Sequence, residues 1–187
     1  MKTKESQVFP KPPSNRKVIR VDIRNSQKDL LISKRSISLF VLDVLKELDV
    51  SCDEIAIHFV TARAIAKLHE SYFDDPTPTD TISFPLDAPG STPNCYLGEV
   101  FVCPKVAVEY AKRHQLDPER ETMLYVVHGI LHLLGYDDLD AESRKVMRRM
   151  ERKCMQLLRG SNGRKRTQKD RKGRMDGAKD KEGKFVF

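Results

Sequence analysis

The segment E-T-M-L-Y-V-V-H-G-I-L-H-L-L-G-Y-D-D, residues 121–138, decides how this chain folds and what it can bind. It predicts an apolar helix on which His128 and His132, four positions apart, project from the same face. Gly135 is placed to end the helix and to let the chain fold back. One of the two carboxylates that follow then approaches the imidazoles. Two imidazoles and a carboxylate can hold a divalent metal with one position open for water.

The surroundings of the two histidines support a metal site more strongly than their spacing does. They lie on an otherwise apolar helix, where two imidazoles without partners would be costly to bury. Either Asp137 or Asp138 can supply the carboxylate. The competing interpretation is that one histidine packs in the core and the other caps a neighbouring helix. We favour the metal, with Zn²⁺ as the first choice and one ion per chain.

A zinc ion at this site would make His128 and His132 catalytic through metal-bound water, because zinc lowers the pKa of that water to about 7. Zinc peptidases with the pattern H-E-x-x-H use the glutamate after the first histidine as general base. Gly129 stands at that position here, so the ordinary peptidase mechanism lacks its proton acceptor. The glycine is also expected to leave space beside the metal for a bulky ligand such as a phosphate. An Fe(II) oxygenase uses a similar ligand set, but its ligands are not placed on one helix and turn.

Charge is spread unevenly along the 187 residues, whose net charge is +7. Residues 1–20 hold six basic and one acidic residue, and residues 159–187 hold eleven basic and four acidic ones. Basic ends of this kind usually meet polyanions. We expect one domain, residues 17–158, between a disordered basic arm at 1–16 and a disordered basic tail at 159–187.

The sequence gives no sign of a membrane or secretory protein. No apolar run approaches the roughly 20 residues that cross a bilayer, and the N-terminus has no apolar signal segment. The cysteines form no C-x-x-C pair and fit reduced thiols: Cys52, Cys95, Cys103 and Cys154. We therefore expect a cytoplasmic protein without a membrane partner, and leave its oligomeric state open.

Periodic patterns predict four strands and about five helices. The strands are expected at 18–23, 54–60, 81–84 and 97–103. The helices with their caps are expected at 33–49, 61–70, 104–113, 117–134 and 140–158. The third and fourth strands are close in sequence and predict an antiparallel hairpin. His58 falls on the polar side of the second strand, and we interpret it as a surface or edge histidine rather than a ligand.

Three segments carry a resemblance to a known family. H-G-I-L-H-L-L-G-Y-D-D (128–138) resembles H-G-x-L-H-L-x-G-Y-D-H, the signature of the YbeY family of bacterial endoribonucleases. P-T-D-T-I-S-F-P-L-D (78–87) is similar to the family's P-T-D/N-V-L-S-F-P segment. L-G-E-V-F-V-C (97–103) is similar to its L-G-D-I-V-I strand. Their order and separations also agree, so the resemblance covers roughly residues 18–158.

The resemblance implies an α+β fold, with a small four-stranded mixed sheet packed against about five helices and a central helix carrying the ligand pair. It implies a zinc-dependent endoribonuclease that is specific for single strands and matures ribosomal RNA at the 3′ end of 16S rRNA. It further implies a role in ribosome quality control, with ribosomal RNA, the small ribosomal subunit and its proteins as partners. Either water or an RNA 2′-hydroxyl is the attacking group.

The first departure from the family pattern concerns the third ligand, which is histidine in the family. We assign His128, His132 and Asp138 as the metal ligands, in preference to a set that uses Asp137. A carboxylate oxygen is an accepted zinc ligand. Its negative charge should reduce the Lewis acidity of the metal.

The second departure concerns a functional arginine in the family segment L-N-x-x-[Y/W]-R. The corresponding segment is L-H-E-S-Y-F (68–73), so Phe73 replaces the arginine and His69 replaces the asparagine. Phenylalanine cannot stabilise charge that develops on a phosphate. The alternative function is therefore a catalytically weak or inactive metal-containing ribosome-assembly factor, with a zinc peptidase less favoured. Ser83, His69 and Asp137 are possible residues of the substrate groove.

Overall fold

A computed structural model describes residues 18–91 and 94–158 of the chain. The elements in these ranges are β1 (Arg20–Asn25), α1 (Lys34–Glu47), β2 (Glu54–Phe59), α2 (Ala62–Phe73), β3 (Thr81–Pro85), β4 (Tyr96–Val102), α3 (Pro104–His114), α4 (Pro118–Leu133) and α5 (Ala141–Met155). The α+β class is confirmed, and so are four strands and five helices within the described ranges. The predicted arm at 1–16 and tail at 159–187 lie outside them.

Capping side chains set the starts of four helices at the residues that the sequence predicts. Ser33, Thr61, Asp117 and Asp140 each accept a hydrogen bond from an amide in the first turn of α1, α2, α4 and α5. A proline begins both α3 and α4, where its missing N–H leaves no hydrogen bond unmade. None of the helices in the described ranges is long and apolar enough to span a bilayer.

The sheet is mixed, with strand order β1-β2-β4-β3. β1 pairs with β2 and β2 with β4 in parallel, while β3 and β4 are antiparallel. The hairpin predicted for the third and fourth strands is therefore confirmed. Helix α1 makes the connection between the parallel strands β1 and β2.

The two faces of the sheet have different coverings, because side chains alternate along each strand. On the first face, Ile57 of β2 and Val100 of β4 join the main core, and α4 packs against β3 and β4. The second face carries His58, Phe84 and Phe101. Phe84 meets Phe101 edge to face, with ring centroids 5.7 Å apart. This face also has a small core of its own, beneath α2.

The interpretation of His58 as a surface or edge histidine is wrong. It lies in β2, one of the two inner strands, and is only 8% exposed. Its ring stacks on Phe101 at 4.5 Å between centroids. A strand paired in parallel on both sides is covered on both faces, so a polar position in its alternation need not be exposed.

Helix α4 is buried along most of its length and contacts α1, α3, α5, β3 and β4, as expected for a central helix. Gly129 lies where α4 crosses the sheet. A Cβ there would collide with the Val100 side chain and lie 3.0 Å from Ser83 Oγ and 3.1 Å from Thr81 Oγ1. The expected free space beside the metal at Gly129 is therefore wrong, because the sheet fills it. Gly129 serves close approach of helix and sheet.

Helix α2 is longer than predicted, ending at Phe73 instead of about residue 70. The apolar stripe that marks its inner side stops early, but the helix itself is ended by Asp74 in the left-handed conformation, at φ 57°. Pro76 then prevents helix from resuming. As a consequence, His69 and Phe73 are four positions apart on one helix face, and their rings are in contact.

Candidate metal centre

His128 and His132 point their Nε2 atoms at each other, 3.0 Å apart. His128 Nδ1 donates to Glu151 Oε1 on α5 at 2.8 Å, and His132 Nδ1 donates to the Tyr136 carbonyl oxygen at 3.0 Å. Carbonyl and carboxylate oxygens only accept, so each Nδ1 carries a proton and each neutral ring turns a lone pair toward the other. Either a proton or a metal ion must lie between two such lone pairs.

The turn after α4 brings the third group to the imidazoles. Gly135 has φ 81°, and its amide donates to the His132 carbonyl at 3.0 Å. The Tyr136 amide donates back to the Leu131 carbonyl, also at 3.0 Å. This left-handed ending is the one that glycine adopts without strain, and the prediction that Gly135 ends the helix is confirmed. The reversed chain then places Asp138 beside both histidines.

The Asp138 carboxylate completes a group that could hold a metal ion. It is 5% exposed, and its Oδ1 lies 4.0 Å from His132 Nε2. One donor atom from each of His128, His132 and Asp138 lies within 4.8 Å of the others. Asp138 Oδ1 finds no hydrogen-bond partner among the described residues. A buried carboxylate oxygen without a hydrogen bond is costly, and a cation between it and the imidazoles removes that cost.

The electrostatics of the group reflect burial and mutual charge. Burial raises the pKa of Asp138. Burial and the charge of His128 together lower the pKa of His132. Burial also disfavours the charged form of His128, but the hydrogen bond to Glu151 and the nearby carboxylates, including Asp80, outweigh it and raise its pKa. Metal ligands must be deprotonated. His128, His132 and Asp138 therefore bind a cation best at a pH above the range in which they take up protons.

Asp137 and Ser83 have structural hydrogen bonds. Asp137 is exposed, and its Oδ1 accepts from the amides of Asp138 at 2.6 Å and Leu139 at 3.1 Å. It shapes the turn, and the cavity walls formed by described residues do not include it. Ser83 does line a cavity at the histidines, and its hydroxyl donates to the Gly129 carbonyl at 3.0 Å.

A cavity of about 140 Å³ opens beside the donor group, between α2, β3 and α4. His69, Phe73 and Ser83 line it together with the donor residues. The structure thus brings two of the three possible groove residues, His69 and Ser83, next to the candidate ligands. Phe73 stands at the same wall and is 45% exposed.

A larger groove, of about 590 Å³, adjoins the donor group on its other side. The two spaces share three lining residues, Asp80, His128 and Asp138. The wall of the groove carries four exposed arginines, Arg120, Arg144, Arg148 and Arg152. Three of them recur every fourth residue along α5, so they form one row with steps of about 6 Å. The groove combines a basic rim with apolar and aromatic side chains from α3, α4 and α5.

Sequence reasoning missed three residues of this centre. Glu151 orients His128, and its position was visible as a carboxylate four residues from both Met147 and Met155, which are buried on the inner side of α5. Arg144 donates through Nη1 to the carbonyls of Asp138 at 3.1 Å and of the next residue at 3.0 Å. No pattern in the sequence pointed to that bond.

Asp80 is the third residue that was missed, although it lies inside the quoted segment P-T-D-T. Its Oδ1 accepts from the Thr81 amide at 2.9 Å and from the Thr79 hydroxyl at 3.0 Å. Its Oδ2 is buried and has no hydrogen-bond partner in ranges 18–91 and 94–158. Asp80 therefore adds negative charge at the junction of the two spaces.

Comparison with known proteins gives the family. The profile of the family described as Endoribonuclease YbeY matches residues 22–159. A relative from Protochlamydia amoebophila (strain UWE25), named Endoribonuclease YbeY, is 45% identical over 141 residues, or 75% of this chain and 94% of the relative. A relative of the same name from Chlamydia felis (strain Fe/C-56) is 39% identical over 145 residues, or 75% and 92%. The chain belongs to this family. The resemblance inferred from the three motifs is confirmed.

A solved structure agrees in fold. The solution structure of the Thermotoga maritima protein TM1509 is 24% identical and superposes with a TM-score of 0.54, covering 82% of this chain and 99% of that one. At this identity the likeness concerns the fold alone. The family match itself runs from β1 through α5 and contains all three donor residues of the metal centre.

Proposed function

We propose that this protein is a metal-dependent endoribonuclease, specific for single strands, that acts in ribosomal RNA maturation. The proposed substrate site is the 3′ end of 16S rRNA, with a further role in ribosome quality control. The small ribosomal subunit and its proteins are the proposed partners, and the reaction would take place in the cytoplasm. The observation that carries the proposal is the match to the Endoribonuclease YbeY family across residues 22–159, which contains the whole donor group.

Zinc is the proposed metal, one ion per chain, with His128, His132 and Asp138 as its ligands. Two imidazole nitrogens and one carboxylate oxygen form a ligand set that zinc accepts in catalytic sites. When bound, such an ion acts as a Lewis acid on a phosphoryl oxygen and makes water more acidic. The protein supplies the orientation: Glu151 and the Tyr136 carbonyl hold the two Nδ1–H groups, and Arg144 braces the turn of Asp138.

The arginine groove fits an RNA strand that passes the donor group. Arg144, Arg148 and Arg152 form a row of positive charges along α5 and line the same groove as His128. Lysines and arginines placed along a groove bind the phosphates of single strands without regard to sequence. Tyr110 and Leu116 offer apolar surface in the same groove, where bases can lie. The proposed path for the strand is therefore the groove, with the scissile phosphate at its junction with the smaller cavity.

The second candidate function is a metal-containing ribosome-assembly factor with weak or no cleavage activity. Phe73 favours it, because an uncharged ring stands at the cavity wall and cannot stabilise charge on a phosphate. A zinc peptidase is disfavoured further by the packing of Gly129, where no glutamate could be accommodated against the sheet.

The decisive experiment compares two RNA substrates of the same sequence, one single-stranded and one annealed to its complement. Full-length protein loaded with zinc should cleave the single strand internally and leave the duplex intact. Treatment with a chelator should stop cleavage, and added zinc should restore it. Absence of cleavage by the loaded protein, with binding retained, would support the assembly factor. Cleavage that survives complete metal removal would contradict the metal-dependent mechanism.

The proposed strand path is tested by charge reversal on α5. Arg148→Glu with Arg152→Glu should weaken binding of single-stranded RNA and reduce the slope of log affinity against log salt by about 1.4, at about 0.7 per phosphate contact. Arg149→Glu is the matched control, since Arg149 is exposed on the same helix but does not line the groove. Deletion of residues 159–187, the proposed basic tail, should weaken binding without a sequence preference. An Arg149→Glu variant that weakens binding as much as the double variant would argue against the groove.

A further inference from the structure

His69 is a buried histidine with one ring nitrogen that the fold does not use. It lies in α2 and is 1% exposed. Its Nδ1 lies 2.9 Å from the Thr77 carbonyl oxygen, and because a carbonyl only accepts, Nδ1 carries the proton. In the neutral ring, Nε2 then holds a lone pair. Nε2 is buried and has no hydrogen-bond partner within the part of the chain that the structure describes. Such a buried acceptor without a partner is costly.

The residue that carries the unused nitrogen lines the cavity beside the metal centre. His69 lines the same space of about 140 Å³ as His128, His132 and Asp138. It is not one of the donors that lie within 4.8 Å of one another; among the described residues that group consists of the other three. His69 therefore stands beside the candidate metal position and not on it. A group bound in the cavity would adjoin both His69 and the donor residues.

Hydrogen bonding at Nδ1 fixes the orientation of the His69 ring, as a general base requires. The backbone of Thr77 accepts from Nδ1, and its amide and hydroxyl donate to Asp75 Oδ1 at 2.8 and 2.6 Å. These hydrogen bonds lower the pKa of Asp75, so its carboxylate stays ionised. Asp75 Oδ2 lies 3.9 Å from His69 Nδ1. Phe73 contacts the same ring, at 5.4 Å between centroids.

We propose that His69 is the general base of the reaction, an inference that rests on the proposed endoribonuclease function. Nε2 removes the proton from the attacking hydroxyl, which belongs to water or to the RNA 2′-position. That oxygen forms its bond to phosphorus while the bond from phosphorus to the leaving oxygen breaks. The leaving oxygen takes a proton from solvent water, and His69 then releases its proton to solvent. The base that peptidases carry after their first histidine is thus supplied from another helix.

Asp80 is the competing base, because it lines the same cavity and also has a buried oxygen without a partner in the described ranges. Its negative charge would oppose the approach of a phosphate, whereas a neutral imidazole does not. Imidazole is also the side chain that most often performs general base catalysis near neutral pH. His69 is therefore favoured as the base, and Asp80→Asn serves as the comparison variant.

The test uses full-length protein loaded with zinc and a single-stranded oligoribonucleotide with one cleavage site. His69→Asn keeps an amide donor for the Thr77 carbonyl but removes the base, and His69→Gly leaves room for added imidazole. Both should lower kcat by about 100- to 10,000-fold, the usual contribution of a general base, with KM and zinc content unchanged. Added imidazole should restore part of the kcat of His69→Gly and leave wild type and Asp80→Asn unaffected.

A kcat of His69→Asn within a few-fold of wild type would overturn the proposal. A loss of kcat accompanied by loss of zinc would also overturn it, because it indicates a structural role. A change in KM alone would do the same, because it indicates a role in substrate binding. A loss of kcat of this size in Asp80→Asn, with a kcat of His69→Asn near that of wild type, would assign the base to Asp80. Wild-type protein that binds zinc but cleaves no RNA would overturn the endoribonuclease function itself. Failure of the base and failure of the function are therefore distinguishable.

Discussion

His128 on α4 and His58 on β2 are buried to nearly the same extent, 7% and 8% exposed, but their surroundings differ. His128 donates to a carboxylate at 2.8 Å and turns its other nitrogen toward His132. His58 stacks on Phe101, and its Nε2 lies 3.6 Å from Glu99 without a hydrogen bond to any described residue. Burial is therefore not what distinguishes a candidate ligand. A candidate ligand is distinguished by ligand atoms that converge on one point, and by a hydrogen-bond partner that fixes the Nδ1 proton of each imidazole.

The electrostatic outcome follows the same division. The Glu151 carboxylate and its neighbours outweigh the burial of His128 and raise its pKa. Around His58, burial outweighs the nearby Glu99, and the pKa is lowered. These shifts favour a charged imidazole at His128, on the α4 side of the sheet, and a neutral imidazole at His58, on the opposite side.

Replacing His128 by alanine should abolish stoichiometric zinc binding and reduce RNA cleavage to background, because a three-ligand site loses one ligand and the anchor to Glu151. His58→Phe is the matched control: it removes an equally buried histidine, keeps the ring stack on Phe101, and should retain both properties. The measurements are the zinc content per chain, by elemental analysis, and the rate of RNA cleavage. One full equivalent of zinc on His128→Ala would show that the donor group is not the metal site.

Glu151→Gln should weaken zinc affinity by about 10- to 100-fold while the fold is kept, the usual cost of losing an outer carboxylate that orients a ligating histidine. Glutamine can still accept from His128 Nδ1 but brings no charge. The affinity is measured by competition with a chelator of known strength. Glu142→Gln provides the control, since Glu142 is an exposed carboxylate on the same helix. Unchanged zinc affinity in Glu151→Gln would show that the charge of Glu151 does not contribute to metal binding.

The parts of this centre that the sequence predicted are local. His128, His132, Gly135 and Asp138 fall within eleven residues, so helix periodicity and one left-handed turn suffice to bring them together. The resemblance then supplied the class of the fold and the family.

The parts that were missed depend on packing between distant segments. Glu151 reaches His128 only because α5 packs on α4, a separation of 23 residues that no local pattern encodes. Gly129 was misjudged because the atoms that fill its space belong to Val100 and Ser83 on the sheet. His58 was misjudged because strand pairing decides whether a polar position meets solvent.

Gly129→Ala tests how tightly the α4 face is packed, and should lower the free energy of unfolding by about 1–3 kcal/mol, the usual cost of overpacking a core. The added methyl group collides with the Val100 side chain, which cannot move away inside the sheet. Denaturant unfolding of the variant, of Val100→Ala and of the double variant measures the coupling. The double variant should be more stable than the sum of the two changes allows. Simple additivity would show that α4 moves as a whole instead.

The smallest expected effect concerns the pH dependence contributed by His58. Because burial lowers its pKa, the folded state disfavours the proton and the unfolded state accepts it at about 6.5. Its contribution to stability is therefore complete above that pH and is lost as the pH falls below it. With a chelator present throughout, the stability difference between wild type and His58→Phe should shift against wild type between about pH 7 and pH 5. The raised pKa of His128 gives the opposite sign in metal-free protein, so its contribution is lost as the pH rises. A stability difference that does not change with pH would mean that His58 takes up a proton in the folded state as readily as in the unfolded state. The two buried histidines would then be less different than their surroundings indicate.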